Sequence, residues 1–150
     1  MLFVCGGGRS KSAIAAQHYV RHLTGEEHRF DPPHEPTQEI QMAGPDGVKR
    51  PVRVMVRGHF KSAAHGNFGL NPDYVQRQLK PEEAKDSDLM FFDVDPERHP
   101  GFLQDRPELR QQIIRAKKEN RFYNIWEMGQ PPQEEVRRIV YEAMRRHYGI

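Results

Sequence analysis

Leu2, Phe3 and Val4 are apolar without interruption, and Cys5 and three glycines follow at once. A short run that is apolar at every position predicts a strand buried on both faces of a parallel sheet. The spacing then turns helical. Ile14, Ala15, Tyr19, Val20 and Leu23 mark one stripe, Ser10 or Ser12 is placed to cap its start, and Gly25 to close its end. From Glu26 to Pro51 the pattern fades under Pro32, Pro33, Pro36, Gly44, Pro45 and Gly47, so mostly loop is expected. Within it, Ile40 to Met42 and Val52 to Val56 flank Pro45-Asp46-Gly47 as the arms of a hairpin. Val52, Val54 and Val56 alternate, as in a half-buried strand ending at Gly58.

Ser62 to Gly69 is small and polar, hence loop, and short helices are expected to begin at Asn71-Pro72-Asp73 and at Lys80-Pro81. Leu89 to Phe92 is a second buried strand, ending in Asp93-Val94-Asp95-Pro96. Pro107 to Lys118 reads as a helix with Leu109, Ile113 and Ile114 as its stripe, and Phe122 to Met128 as the last strand. Gln133 to His147 is strongly amphipathic, with Val136, Ile139, Val140, Ala143 and Met144 inward. Strands alternating with helices predict an α/β fold with a mainly parallel sheet, as a single domain over residues 1–150.

Composition changes this picture little. The hydrophobic share is 36% and the charged share 29%, which suits one soluble domain with polar loops. The formal charge of +2 is too small to argue for nucleic acid. No run approaches the roughly 18 apolar residues of a membrane span, no leader peptide is expected, and a cytoplasmic setting is. The single cysteine excludes an internal disulfide, a multi-cysteine metal site and a thiol relay within one chain.

Chemistry concentrates at Cys5. A strand, a glycine-rich loop (Gly6, Gly7, Gly8, Arg9, Ser10) and a helix starting near Lys11-Ser12 form an anion cradle. Backbone N–H groups, the helix N-terminus and the two loop cations all favour the thiolate of Cys5. The layout predicts phosphate binding by Gly6 to Lys11, with Cys5 as nucleophile and Lys11 and Ser12 beside it.

Cys5, five residues, then Lys11-Ser12 resembles the phosphate loop of the low-molecular-weight protein tyrosine phosphatases, whose pattern is Cys, five residues, Arg, Ser or Thr. Later segments keep that family's order. Ser62-Ala63-Ala64-His65-Gly66 resembles its Ser-Ala-Gly-Thr turn, and Gln78-Leu79-Lys80-Pro81-Glu82-Glu83 with Asp86, Asp88 and Leu89 its Gln-Leu-Thr-Pro-Glu-Asp…Ala-Asp-Leu run. Trp126-Glu127-Met128-Gly129-Gln130-Pro131 resembles its Trp-Asp-Val-Pro-Asp-Pro ending.

The resemblance implies a three-layer sandwich on a central four-stranded parallel sheet, here with an insertion or hairpin at about 26–57. It implies hydrolysis of a phosphorylated protein or small phosphate ester through a phosphocysteine, without metal or cofactor. Two departures are visible. Lys11 stands where the family has its arginine, with Arg9 two positions earlier. Gln130 stands where the family has the aspartate that protonates the leaving group, so weak activity is expected. Glu127, Asp93 and Asp95 are the candidate replacements.

Other readings of the same residues stay open. A domain lacking both groups would serve as a non-catalytic phosphate or oxyanion binder. Ser10-Lys11-Ser12 with Leu89 to Asp93 also resembles an incomplete nucleotide-binding loop, although both flanking glycines are missing. An arsenate reductase would need an external thiol. His18 and His22 lie four apart, a metal spacing without a third ligand, and are read as surface histidines. His28, Arg29, Phe30, His34, Lys49 and Arg50 are candidate recognition residues or plain solvated insertion. The arginines at 137, 138, 145 and 146 suit a solvated helix end.

Overall fold

A computed structural model of the chain describes residues 1–61, 71–126 and 134–150. Its elements run β1 (Leu2–Cys5), α1 (Lys11–Thr24), β2 (Thr37–Ala43), β3 (Lys49–Gly58), α2 (Pro72–Arg77) and α3 (Pro81–Asp86). They continue with β4 (Met90–Phe92), α4 (Pro107–Lys118), β5 (Phe122–Asn124) and α5 (Glu134–Tyr148). The strands form one mixed sheet in the order β2-β3-β1-β4-β5. β3, β1, β4 and β5 are mutually parallel, and β2 runs antiparallel to β3.

The fifth strand departs from the four-stranded parallel sheet expected from sequence. The hairpin is part of the sheet, registered from Thr37 opposite Met55 to Ala43 opposite Lys49. Its turn is fixed locally. Gly47 adopts φ +75°, the Asp46 carboxylate accepts from the Val48 N–H at 3.0 Å, and Arg50 closes on Asp46 at 2.8 Å. Ile40 and Met42 then point into the core, so the segment between α1 and β3 is less of a loop than its prolines suggested. Phe30 is also buried there, with its N–H and that of Asp31 held by Gln17 Oε1 at 2.9 and 3.2 Å.

Strand alternation divides the core into two layers. Phe3, Val54, Val56 and Phe91 face α1 and α5, where Phe3 stacks on Tyr19 and Phe91 at centroid distances of 6.1 and 5.1 Å. Leu2, Val4, Met55, Met90 and Phe92 face Leu79, Ala84 of α3, and Leu109, Ile113 and Ala116 of α4. On α1 the buried stripe is Ser12, Ala13, Ala15, Ala16, Tyr19 and Val20. Ile14, expected inward, is 64% exposed, because it lies off that stripe. β5 ends sooner than expected, where the Asn124 side chain accepts from the Trp126 N–H at 3.2 Å and turns the chain. Among the described residues, no helix is long and apolar enough to cross a membrane.

Candidate active site at the end of the first strand

β1 lies between β3 and β4, so its carboxyl end opens where the chain departs to both sides. Open α/β sheets place their ligand sites at such a switch point. The ends of three strands and the start of α1 meet there around a cleft of about 420 Å³. Its described lining is Cys5, Gly6, Gly7, Ser10, Lys11, His59, Phe60, Asp93 and Val94.

Parity along β1 puts Cys5 on the same face as Phe3, toward α1. Ser12, in the first turn of α1, is fully buried, and its Oγ lies 3.1 Å from Cys5 Sγ. Thus Ser12 bonds the thiol, while Ser10 caps the helix through its backbone alone, its carbonyl accepting from the Ile14 N–H at 2.8 Å. The helix delivers its N-terminal amides and Lys11 to the cleft, a favourable setting for an anion.

The glycines are needed because β3 runs against the loop. Gly8 has φ +67°, and a Cβ there would lie 2.4 Å from the Gly58 nitrogen and 2.5 Å from the Arg57 carbonyl carbon. A Cβ on Gly58 would meet Gly7 at 2.6 Å, and one on Gly6 would meet the Phe60 ring at 2.4 Å. The loop carbonyls are also held, since His59 N–H donates to Cys5 O and Phe60 N–H to Gly6 O, both at 3.0 Å. Gly8→Ala is therefore expected to destabilise the protein by about 2–5 kcal/mol, combining left-handed strain with a backbone collision. Gly25→Ala, at φ +73° with open space around it, should cost only about 1–2 kcal/mol. Urea unfolding of the two variants checks this contrast, and equal losses would contradict it.

Behind the loop, Arg77 is completely buried. Its guanidinium donates to the carbonyls of Gly8 at 3.2 Å, Phe30 at 2.6 Å and His34 at 2.6 Å, and to Asp73 Oδ1 at 3.0 Å. Asp73 also takes Arg9, at 3.6 Å through its other oxygen. Arg9 is consequently drawn to α2 and is absent from the cleft lining, which leaves Lys11 as the cation of the described lining.

On the opposite wall, His59 Nε2 lies 3.1 Å from Asp93 Oδ1. Asp95, the other carboxylate at the end of β4, is engaged elsewhere. Lys117 Nζ donates to both of its oxygens at 3.0 and 2.8 Å, and the Glu97 N–H to one at 2.9 Å. Burial alone would raise the Asp95 carboxyl, but the Lys117 and Glu97 hydrogen bonds and the charges of Lys117 and Arg98 outweigh it and hold it below its ordinary value. A depressed carboxyl contributes stability above the pH where the unfolded group titrates, about 4, and that contribution is lost as pH falls through the folded value. Asp95→Asn is expected to lower Tm at pH 7 and to flatten its acid limb below about pH 4. An unchanged acid limb would refute the assignment.

Gln130, Glu127 and the turn at Ser62 to Gly66 lie outside the described residues. His18 and His22 pack on aromatic rings: His22 stacks on Tyr141 at 4.3 Å, and His18 meets Tyr19 edge-on at 5.0 Å. No cluster of three metal-ligating side chains occurs among the described residues. Four residues in or behind the site went unread in the sequence. His59 directly follows β3 at the carboxyl end of a parallel strand, a position that marks it as a site candidate. Asp73 and Arg77 have the i,i+4 spacing of a helical ion pair, and Arg57 is hidden by the assumption of a half-buried strand. Searches against protein-family models, curated proteins and solved structures find no significant match to the chain.

Proposed function

We propose that the chain is a cysteine-dependent phosphate monoester hydrolase of the low-molecular-weight tyrosine phosphatase type, acting on a phosphorylated protein or a small phosphate ester. The observation that carries this reading is the Cys5–Ser12 contact at 3.1 Å, at the base of a glycine cradle facing a helix N-terminus. The four parallel strands, with the hairpin added at one edge, support the sandwich that this type requires.

In the proposed reaction the Cys5 thiolate attacks phosphorus, and the bond to the ester oxygen breaks. Loop N–H groups and Lys11 hold the phosphoryl oxygens. Water then attacks the phosphocysteine, and Ser12 stabilises the departing thiolate by donating to it. Lysine presents a point charge where an arginine would grip two oxygens, so slow turnover is expected. A cytoplasmic setting, which keeps a lone thiol reduced, suits this chemistry.

The Ser12 contact also favours this reading over a nucleotide-binding loop. There the corresponding hydroxyl serves a magnesium ion; here it is committed to sulfur. The pairing of Arg9 with Asp73 favours a second reading, a phosphate-binding module without catalysis, because it leaves the described cleft with one cation. Incubation with p-nitrophenyl phosphate, followed by rapid acid quench to trap phosphocysteine, decides between them. A burst with a trapped intermediate is expected. No turnover, with vanadate still bound, would leave the binding module, and neither turnover nor binding would overturn both.

A further inference from the structure

Among the described residues lining the cleft, the groups able to carry a proton are Cys5, Ser10, Lys11, His59 and Asp93. Cys5 is assigned as nucleophile, Lys11 as phosphate ligand, and the Ser10 hydroxyl is too weak an acid at neutral pH to protonate a leaving group. His59 and Asp93 remain, and they are bonded to each other.

His59 is well placed to act. It is only 7% exposed, and both its backbone groups are fixed: the N–H on Cys5 O at 3.0 Å, and the carbonyl on Arg106 at 3.3 Å. Its ring is wedged edge-on between Phe60 and Phe102, at centroid distances of 5.2 and 4.7 Å. The fourth constraint is Asp93 on Nε2, which selects the ring orientation as a carboxylate does for a working histidine. A surface histidine needs none of these restraints. The ring is ordered, in the cleft that Cys5 also lines, from both neighbouring strands, β3 through its own end and β4 through Asp93.

We propose that His59 is the proton donor and acceptor of the reaction, with Asp93 as its positioning residue; this rests on the phosphatase reading of Cys5. In the first step the Sγ–P bond forms and the P–O ester bond breaks, while the His59 imidazolium gives its proton to the departing oxygen. The neutral ring then takes a proton from the attacking water as the P–S bond breaks and the thiolate leaves. Over the cycle, ester and water become alcohol and phosphate, and His59 regains its proton. Among the described charged residues, Asp93 contacts the His59 ring, Arg106 donates to its backbone carbonyl, and Lys11 lines the same cleft.

The test is leaving-group dependence, which a purely structural residue would not alter. In His59→Asn, kcat/KM should fall much less for p-nitrophenyl phosphate, whose leaving group needs little protonation, than for phenyl phosphate. For phenyl phosphate it should fall by about 10²-fold or more. Imidazole added to His59→Ala should restore phenyl phosphate turnover, and Asp93→Asn should show the same pattern in weaker form. His59→Gln serves if the asparagine variant unfolds. With wild type active, equal losses on both esters, or no loss on either, would overturn the His59 assignment alone. If wild type forms no phosphocysteine with either ester, both readings fall together.

Discussion

Cys5→Ser is expected to reduce turnover of p-nitrophenyl phosphate by a factor on the order of 10⁴ or more, while leaving phosphate and vanadate binding largely intact. A hydroxyl is a far weaker nucleophile than a thiolate at neutral pH, and among the described residues lining the cleft His59 is the base proposed to take its proton. The cradle itself makes no use of the sulfur. Its shape comes from glycine contacts with β3 and from backbone hydrogen bonds, all of which a serine leaves in place. Binding and turnover should therefore separate. The measurement is steady-state kinetics beside titration calorimetry with vanadate. Retention of more than a tenth of wild-type turnover would exclude Cys5 as nucleophile. Ser12→Ala should act later in the cycle, slowing breakdown of the phosphocysteine and increasing the trapped fraction.

Arg77→Leu is expected to destabilise the fold by about 3–5 kcal/mol, the range for removing one partner of a buried ionic network. In a domain of this size that lowers Tm by roughly 10 °C. Three backbone carbonyls, on Gly8, Phe30 and His34, would each lose a charged donor in an interior that water cannot readily enter. Asp73 would keep only the longer contact with Arg9. Arg77→Lys should recover part of the loss, since it restores the charge but not the fork that reaches several carbonyls at once. Thermal and urea unfolding of both variants provide the check. A loss below about 1 kcal/mol in Arg77→Leu would mean that the loop and the 30–34 segment are held by other contacts.

The order of elements was legible because apolar runs and helical stripes dominate their segments: Leu2 to Val4, Leu89 to Phe92 and Val136 to Met144 lie where the pattern put them. The strand, loop and helix start around Cys5 were legible because an apolar run, three glycines and a helical stripe follow one another directly. Of the site's far wall, Asp93 was a candidate from the sequence, while His59 and the pairing of the two were not legible. His59 and Asp93 are 34 positions apart, and only the parallel pairing of β3 and β4 on either side of β1 brings them together. Arg77 was invisible for another reason. A charged residue on a short helix reads as surface, and its burial depends on carbonyls from residues 8, 30 and 34 that no local pattern links to it. Ile14 failed in the opposite sense, its hydrophobicity suggesting burial at a position the helix turns outward.

The close approach of Gly58 to the loop glycines has one more consequence. Main chain touches main chain there, so the contour proposed to hold an anion does not depend on which side chains the loop carries. Recognition and reactivity become separable parts, the first written in glycines and the second in a few replaceable cations and proton carriers. The cation at position 11 can be exchanged without remaking the mould, so Lys11→Arg is a graft the scaffold should accept without repacking.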